Sequence, residues 1–256
     1  MGIKLYALNL ISKIKGDYLI ITFIEVIIII LFGSIITNDR TKTIQVENEI
    51  MSEVSDENLY NECKEIYTKN KELLILVNYD NAVPNDYKLD LRYTENRKEQ
   101  VANVLYNDLV LMLRDAQNVG YTYWIASGYR SIQIQQGLID DHINTYISEG
   151  MSVEEAKNKT YEILEKANYS EHHTGLAIDF LSSDNLNMDE SQEMTEGNKW
   201  LRENCYKYGF ILRYPRDRQA ITNMSYEPWH FRYVGRESST FIHQNNLTLE
   251  EFYAHL

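Results

Sequence analysis

Residues 18 to 37 of the chain read YLIITFIEVIIIILFGSIIT, 20 residues with a single charge, Glu25. As a helix rising 1.5 Å per residue, such a run spans roughly 30 Å, the thickness of a bilayer's hydrocarbon core. Its 14 Ile, Leu, Val and Phe residues, at about −0.5 kcal/mol each, give on the order of −7 kcal/mol for insertion. One mid-span acid costs about +3 kcal/mol. Insertion wins in spite of Glu25. Lys4, Lys13 and Lys15 precede the run, so the N-terminus is expected to stay cytoplasmic and the remainder to lie outside. The run is longer than the apolar part of a cleaved signal peptide, and no A-x-A site follows it, so it is expected to stay attached as a transmembrane anchor.

The residues after this run divide in two. Segment 38–71 is polar and carries Glu47, Glu49, Glu53, Asp56, Glu57, Glu62 and Glu65 without a strong apolar stripe, and reads as an acidic, partly helical stem. A single domain is expected over 72–256. Across the whole chain 38 acidic residues stand against 25 basic ones, a net charge of −13. That balance argues against a nucleic-acid binder, which needs a basic face for phosphates. Two cysteines, Cys63 and Cys205, are too few for a disulfide framework or a cysteine zinc site, and read as unpaired thiols.

Within the domain, Leu73–Val77 (LLILV) reads as a buried strand. The spacing of Val101, Leu105, Met112 and Ala116 predicts a helix over 94–118. Strand formers mark 121–127, and a helix follows over 131–148. Ser152 and Glu155 form a capping-box pattern that starts a helix to about Ala167. Strands are predicted at 176–181, 210–214 and 229–234, a helix at 195–208 ended by Gly209, and a last helix capped by Thr248 and Glu251. Strands and helices that do not alternate regularly imply an α+β domain around a central, mostly antiparallel sheet flanked by helices.

Six histidines occur, and two sit in informative company. His172 lies in SEHHTGLAID (170–179), which ends in Asp179 between Ile178 and Phe180. A carboxylate buried among such neighbours is costly unless a cation meets it. His230 ends Glu227-Pro228-Trp229-His230, where Pro228 forbids a regular helix and lets both flanking groups face one site. Two imidazoles and one carboxylate are a catalytic zinc set with a fourth position for water. Glu227, beside a ligand without having to be one, is the candidate base. Either spacing alone is a weak pattern. Asp179 paired with Arg130 or Arg213, and His173 as a rival ligand, remain open on these grounds.

Three motifs in order carry a resemblance: SGYRS at 127–131, S-x-H-x-x-G-x-A-x-D at 170–179 and E-x-W-H at 227–230, with YGFILRYP at 208–215 beside them. Over roughly 73–233 the chain resembles the VanY-type D-alanyl-D-alanine carboxypeptidases, zinc peptidases related to the VanX dipeptidases and bifunctional VanXY enzymes. The resemblance implies an α+β zinc-peptidase domain like that of the hedgehog signalling domain. It implies Zn²⁺ held by His172, Asp179 and His230, with Glu227 as base and then acid. Arg130 would steady the substrate carbonyl. Ser170, Gln135, Ser127 and Tyr129 would serve the substrate. Two positions depart from many relatives: Tyr169 stands in place of Gly and His173 in place of Gln. The implied reaction removes the terminal D-Ala from peptidoglycan stem peptides ending in D-Ala-D-Ala. In a glycopeptide-resistance setting this trimming removes the drug's target. Rivals on the same scaffold are cleavage of free D-Ala-D-Ala, if the segment 140–168 occludes the pocket, and L,D- or endopeptidase activity. Outside the hydrolases the rival is a zinc-bound wall-binding module.

Overall fold

The computed structural model describes residues 40–95 and 98–256. The expected anchor at 18–37 lies outside the described residues, and among the described residues no helix is long and apolar enough to cross a membrane. The chain divides into two compact units, 1–62 and 63–256. Helix α1 (Arg40–Asn70) ends in the second unit, where Cys63 and Ile66 are buried. The compact unit therefore begins earlier than 72. Two apolar positions among many charges give too faint a stripe to show this in the sequence.

A hairpin of β1 (Leu91–Tyr93) and β2 (Gln100–Ala102) comes next. It replaces the first half of the helix expected over 94–118, which starts as α2 only at Tyr106 and runs to Asn118. Strand β3 (Tyr123–Ser127) leads into α3 (Ile132–Ser148), capped by the Ser131 hydroxyl. Helix α4 (Val153–Tyr161) begins at the Ser152/Glu155 capping box and is shorter than expected. Then come β4 (Ala177–Ser182), α5 (Glu196–Asn204), β5 (Phe210–Leu212), the single-turn α6 (Gln219–Thr222), β6 (His230–Tyr233), α7 (Arg236–Gln244) and α8 (Leu249–Ala254). The last begins at the Thr248/Glu251 capping box.

The main sheet has the order β3-β4-β6-β5, and every pairing is antiparallel. Directly opposed residues share a face, and successive residues alternate between faces. Ile178 opposes Phe231, Phe180 opposes Ile125, and Phe210 opposes Tyr233, so one face is apolar. It packs against Leu109 and Met112 of α2 and Leu201 of α5 to form the core. Asp179 opposes both His230 and Ser127, and Arg232 opposes Ala177 and Ile211. The second face thus carries the polar groups.

Leu73–Val77 does not pair as a strand. The carbonyls of Leu73 and Ile75 accept from Arg232 Nη2 at 2.9 and 2.7 Å, and that of Leu74 accepts from the Tyr253 hydroxyl at 2.8 Å. Side chains meet the backbone's hydrogen-bonding requirement here, so no neighbouring strand is needed. Cys63 and Cys205 are both buried.

Candidate active site

The SGYRS segment leaves β3 and crosses close to β2. A Cβ on Gly128 would overlap the Gln100 carbonyl, so only glycine fits there. The Gly128 carbonyl accepts from His172 Nδ1 at 2.7 Å, which leaves Nε2 of that ring as the free lone pair. His172 sits in a short 3₁₀ turn (Glu171–Thr174) ended by Gly175 at φ +70°. A Cβ on Gly175 would stand 2.9 Å from both the Ala102 nitrogen and Leu91 Cδ2. The turn is thereby pressed onto the hairpin and β4 starts in register.

His172 Nε2 lies 3.3 Å from Asp179 Oδ2, and His230 Nδ1 lies 3.0 Å from Asp179 Oδ1. The ligand atoms of His172, Asp179 and His230 all lie within 4.8 Å of one another, and all three residues are buried. Burial opposes ionisation of Asp179, but the two imidazoles outweigh it and hold its carboxyl well below the usual range. Burial also lowers the His172 imidazole, keeping it neutral and able to ligate. His230 Nε2 faces Glu171 Oε2 at 3.4 Å; burial opposes its protonation, but the hydrogen bonds to Asp179 and Glu171 outweigh it and raise the imidazole to about 10. Two imidazoles and a carboxylate converging on one buried point fit a single divalent cation, which would replace the proton on His230 Nδ1.

His173 is placed otherwise. Its Nδ1 meets the Arg130 carbonyl at 2.6 Å and its Nε2 accepts from the Asn168 amide at 3.2 Å. Both nitrogens are spent on the backbone. Arg213 also turns away from Asp179: its Nε donates to Glu171 at 2.8 Å and its two terminal nitrogens to Glu250 at 2.8 and 2.6 Å. Arg130 is the guanidinium near Asp179, at 3.7 Å. It donates to Ser127 Oγ and Gln135 Oε1, each at 2.8 Å. Gln135, fully buried, donates in turn to the Glu165 carbonyl at 2.6 Å.

Glu227 Oε2 stands 3.8 Å from His230 Nδ1. Burial pushes its carboxyl up to about 8; His230 and Arg130 oppose this while Asp179 and Glu165 add to it. The turn carrying it is held at three points. Asn198 Nδ2 donates to the Pro228 carbonyl at 2.6 Å, the Phe180 amide to that of Trp229 at 2.9 Å, and the Glu227 amide to that of Tyr214 at 3.2 Å.

A cavity of about 420 Å³ opens over these groups, lined among others by Arg130, Gln135, Ser170, Glu165, Tyr214 and Glu227 together with the His–Asp–His triplet. Its size suits a small ligand. Ile163, Leu164 and His142, from the segment 140–168, form part of its wall. Ser127 and Tyr129 are not among its lining residues: Ser127 serves Arg130, and the Tyr129 amide bonds the Gln100 carbonyl at 2.6 Å.

Two buried residues escaped the sequence reading. Glu171 stands between Ser170 and His172 as an apparent spacer, yet it is 1% exposed. It binds Arg213 and also Arg232, whose Nη1 lies 2.6 Å from Oε1. Asn198 lies on a helix far from any motif. An acid beside a metal-ligand candidate was a usable signal for the first; nothing marked the second.

This fold and triplet, with an acid and an arginine turned to the same point, define a mononuclear metal-site architecture of the hydrolase type. The family model for VanY D-alanyl-D-alanine carboxypeptidase matches residues 98–236. A D-alanyl-D-alanine carboxypeptidase of Enterococcus faecalis (strain ATCC 700802 / V583) is 35% identical over 203 residues, covering 79% of this chain and 73% of the relative. Among solved structures, a mutant of the vancomycin resistance D,D-pentapeptidase VanY from a VanB-type cassette, in complex with Zn(II), is similar at TM-score 0.65 and 35% identity. It covers 71% of this chain and 99% of that one. VanYB in complex with D-alanine-D-alanine is similar at TM-score 0.65 and 35% identity, covering 71% and 97%. The chain belongs to the VanY D-alanyl-D-alanine carboxypeptidase family.

Proposed function

We propose that this protein is a zinc-dependent D,D-carboxypeptidase that removes the terminal D-Ala from peptidoglycan stem peptides ending in D-Ala-D-Ala. The observation that carries this reading is the convergence of Glu227 and Arg130 on the His172–Asp179–His230 triplet within one cavity. A wall-binding module has no use for a buried base and a positioned guanidinium at its metal. Similar proteins described as D-alanyl-D-alanine carboxypeptidases and as a Zn(II) complex support the substrate and the metal.

His172 Nε2, Asp179 and His230 Nδ1 would hold the zinc ion. When bound, zinc supplies Lewis-acid polarisation of the scissile carbonyl and a lowered pKa for the attacking water. Glu227 takes the water's proton and returns it to the amine of the departing D-Ala, a task its place 3.8 Å from His230 Nδ1 allows. Arg130, fixed by Ser127 and Gln135, stabilises the negative charge developing on the carbonyl oxygen. Ser170 lines the cavity and serves the peptide's terminal end.

Residues 18–37 anchor the chain in the membrane, with 1–17 cytoplasmic, 38–71 as stem and the catalytic domain extracellular. The apolar length and the lysines before it support this arrangement, and a wall precursor is found on that side. Mass spectrometry of products from pentapeptide, tetrapeptide and free D-Ala-D-Ala tests the activity. Loss of one D-Ala from the pentapeptide is expected. Cleavage of the dipeptide alone, or of the tetrapeptide alone, would overturn the D,D-carboxypeptidase assignment.

A further inference from the structure

Glu165 follows α4 and lines the cavity, but the mechanism above does not use it. It is 6% exposed, and its Oε1 is buried without a hydrogen-bond partner. Its backbone carbonyl is fixed by Gln135, whose other end fixes Arg130, so the acid and the guanidinium are positioned by one side chain. Among the lining residues the acids Glu165, Asp179, Asp189, Glu190 and Glu227 surround one arginine, Arg130. Any carboxypeptidase must bring its substrate's terminal carboxylate into such a cavity. With Arg130 turned to the scissile carbonyl, Ser170 is the donor already assigned to that end; a carboxylate takes more than one donor, and an ionised Glu165 would repel it.

We propose that Glu165 is a substrate-binding residue that, as a neutral carboxylic acid, donates its hydroxyl to the C-terminal carboxylate of the peptide and so selects substrates with a free terminus. This rests on the D,D-carboxypeptidase reading. Several surroundings favour the neutral form. Burial pushes Glu165 up to about 7. Glu171 and Glu250 act in the same direction, and Arg213 and His230 oppose. Arg213 is already bound to Glu171 and Glu250. Glu227 and the Tyr214 hydroxyl also feel the Glu165 charge, and ionisation of either is disfavoured by it. The accepting partner missing from Oε1 is then met by the ligand, and no proton changes owner on binding.

The test is KM and kcat for the pentapeptide between pH 6 and 9, on zinc-loaded wild type, Glu165→Gln and Glu165→Ala. Wild-type KM should rise with pH above about 7, approaching about tenfold per pH unit. Glu165→Gln offers an N–H in place of the O–H. Its KM should stay flat and within about threefold of the wild-type value at pH 6. Glu165→Ala should raise KM about 10- to 100-fold at pH 6, as expected for a lost hydrogen bond to a charged group. Its kcat and zinc content should change little. Wild-type KM falling with pH, Gln as weak as Ala, or both variants matching wild type would each overturn the proposal. Calorimetric binding of D-Ala-D-Ala to the same proteins, and the wild-type pH profile, need no stable alanine variant. A pentapeptide left intact by wild type would overturn the activity reading. The dissociation constants would still show whether Gln resembles wild type and Ala does not.

Discussion

Asp179 is held between two imidazoles in the middle of a sheet, a position that an apolar side chain would ordinarily fill. Asp179→Ala removes a hard oxygen ligand and a negative charge, so it should abolish stoichiometric zinc by metal analysis. His173→Ala should retain full zinc, because both ring nitrogens of His173 contact backbone; zinc lost on that substitution would move the ligand set. Glu227→Gln keeps the shape of the turn and removes the group that carries the proton. Zinc occupancy should be full and kcat at least ~10³-fold lower, at the upper part of the range for acid–base catalysis. A kcat within a few fold of wild type would end the assignment of Glu227 as base. At this scale the sequence was informative because the chemistry needs rare residues at fixed spacings: His172, Asp179 and Glu227 all stand in motifs. Glu171 was overlooked because its partners, Arg213 and Arg232, are distant in sequence and meet it only through the sheet.

Among the elements, the strands that carry the site were legible, since β4 lies in the short apolar run 176–181 and β6 alternates polar and aromatic residues. The β1–β2 hairpin was not: strands of three residues are too short to show alternation. Helix α7 went unnoticed because its buried side includes Ser238 and Ser239 beside Phe241 and Ile242. What couples β4's preceding turn to β5 and β6 is the fully buried Arg213–Glu171–Arg232 cluster. Breaking one partner of a buried charge cluster typically costs about 3–5 kcal/mol, so Glu171→Gln should lower unfolding stability near neutral pH by roughly that much. Burial opposes ionisation of Glu171, yet the arginines hold its folded pKa well below the ordinary value. Its contribution is therefore present above the unfolded pKa of about 4.3 and lost as pH falls below it. Urea melts at pH 7, 5 and 3 should show a shallower acid slope for the variant than for wild type; parallel slopes would contradict this account.

For the whole molecule, the boundary of the folded unit is the practical question. A fragment starting near residue 58 keeps Cys63, Ile66 and Tyr67, whose ring meets that of Tyr253 at 5.6 Å. One starting at Glu72 loses them. Burial of such side chains contributes roughly 2–4 kcal/mol in sum, and a domain of this size shifts by about 2–4 °C per kcal/mol. Scanning calorimetry should therefore place the shorter fragment's Tm about 10 °C lower; equal values would show that α1 adds nothing to the fold. The full chain should sediment with membranes after carbonate washing and the fragment should not. Arg232 adds a constraint on how the tether can vary. The same guanidinium that grips Glu171 also grips the carbonyls of Leu73 and Ile75. A few glycines and serines inserted at 71–77 would therefore be transmitted to His230 through Glu171. The same insertion upstream of Cys63 would, on the proposed arrangement, lengthen only the stem. On the proposed anchoring of 18–37, evolution and protein engineers alike could adjust how deep into the wall this enzyme grazes, provided the added length enters before that cysteine.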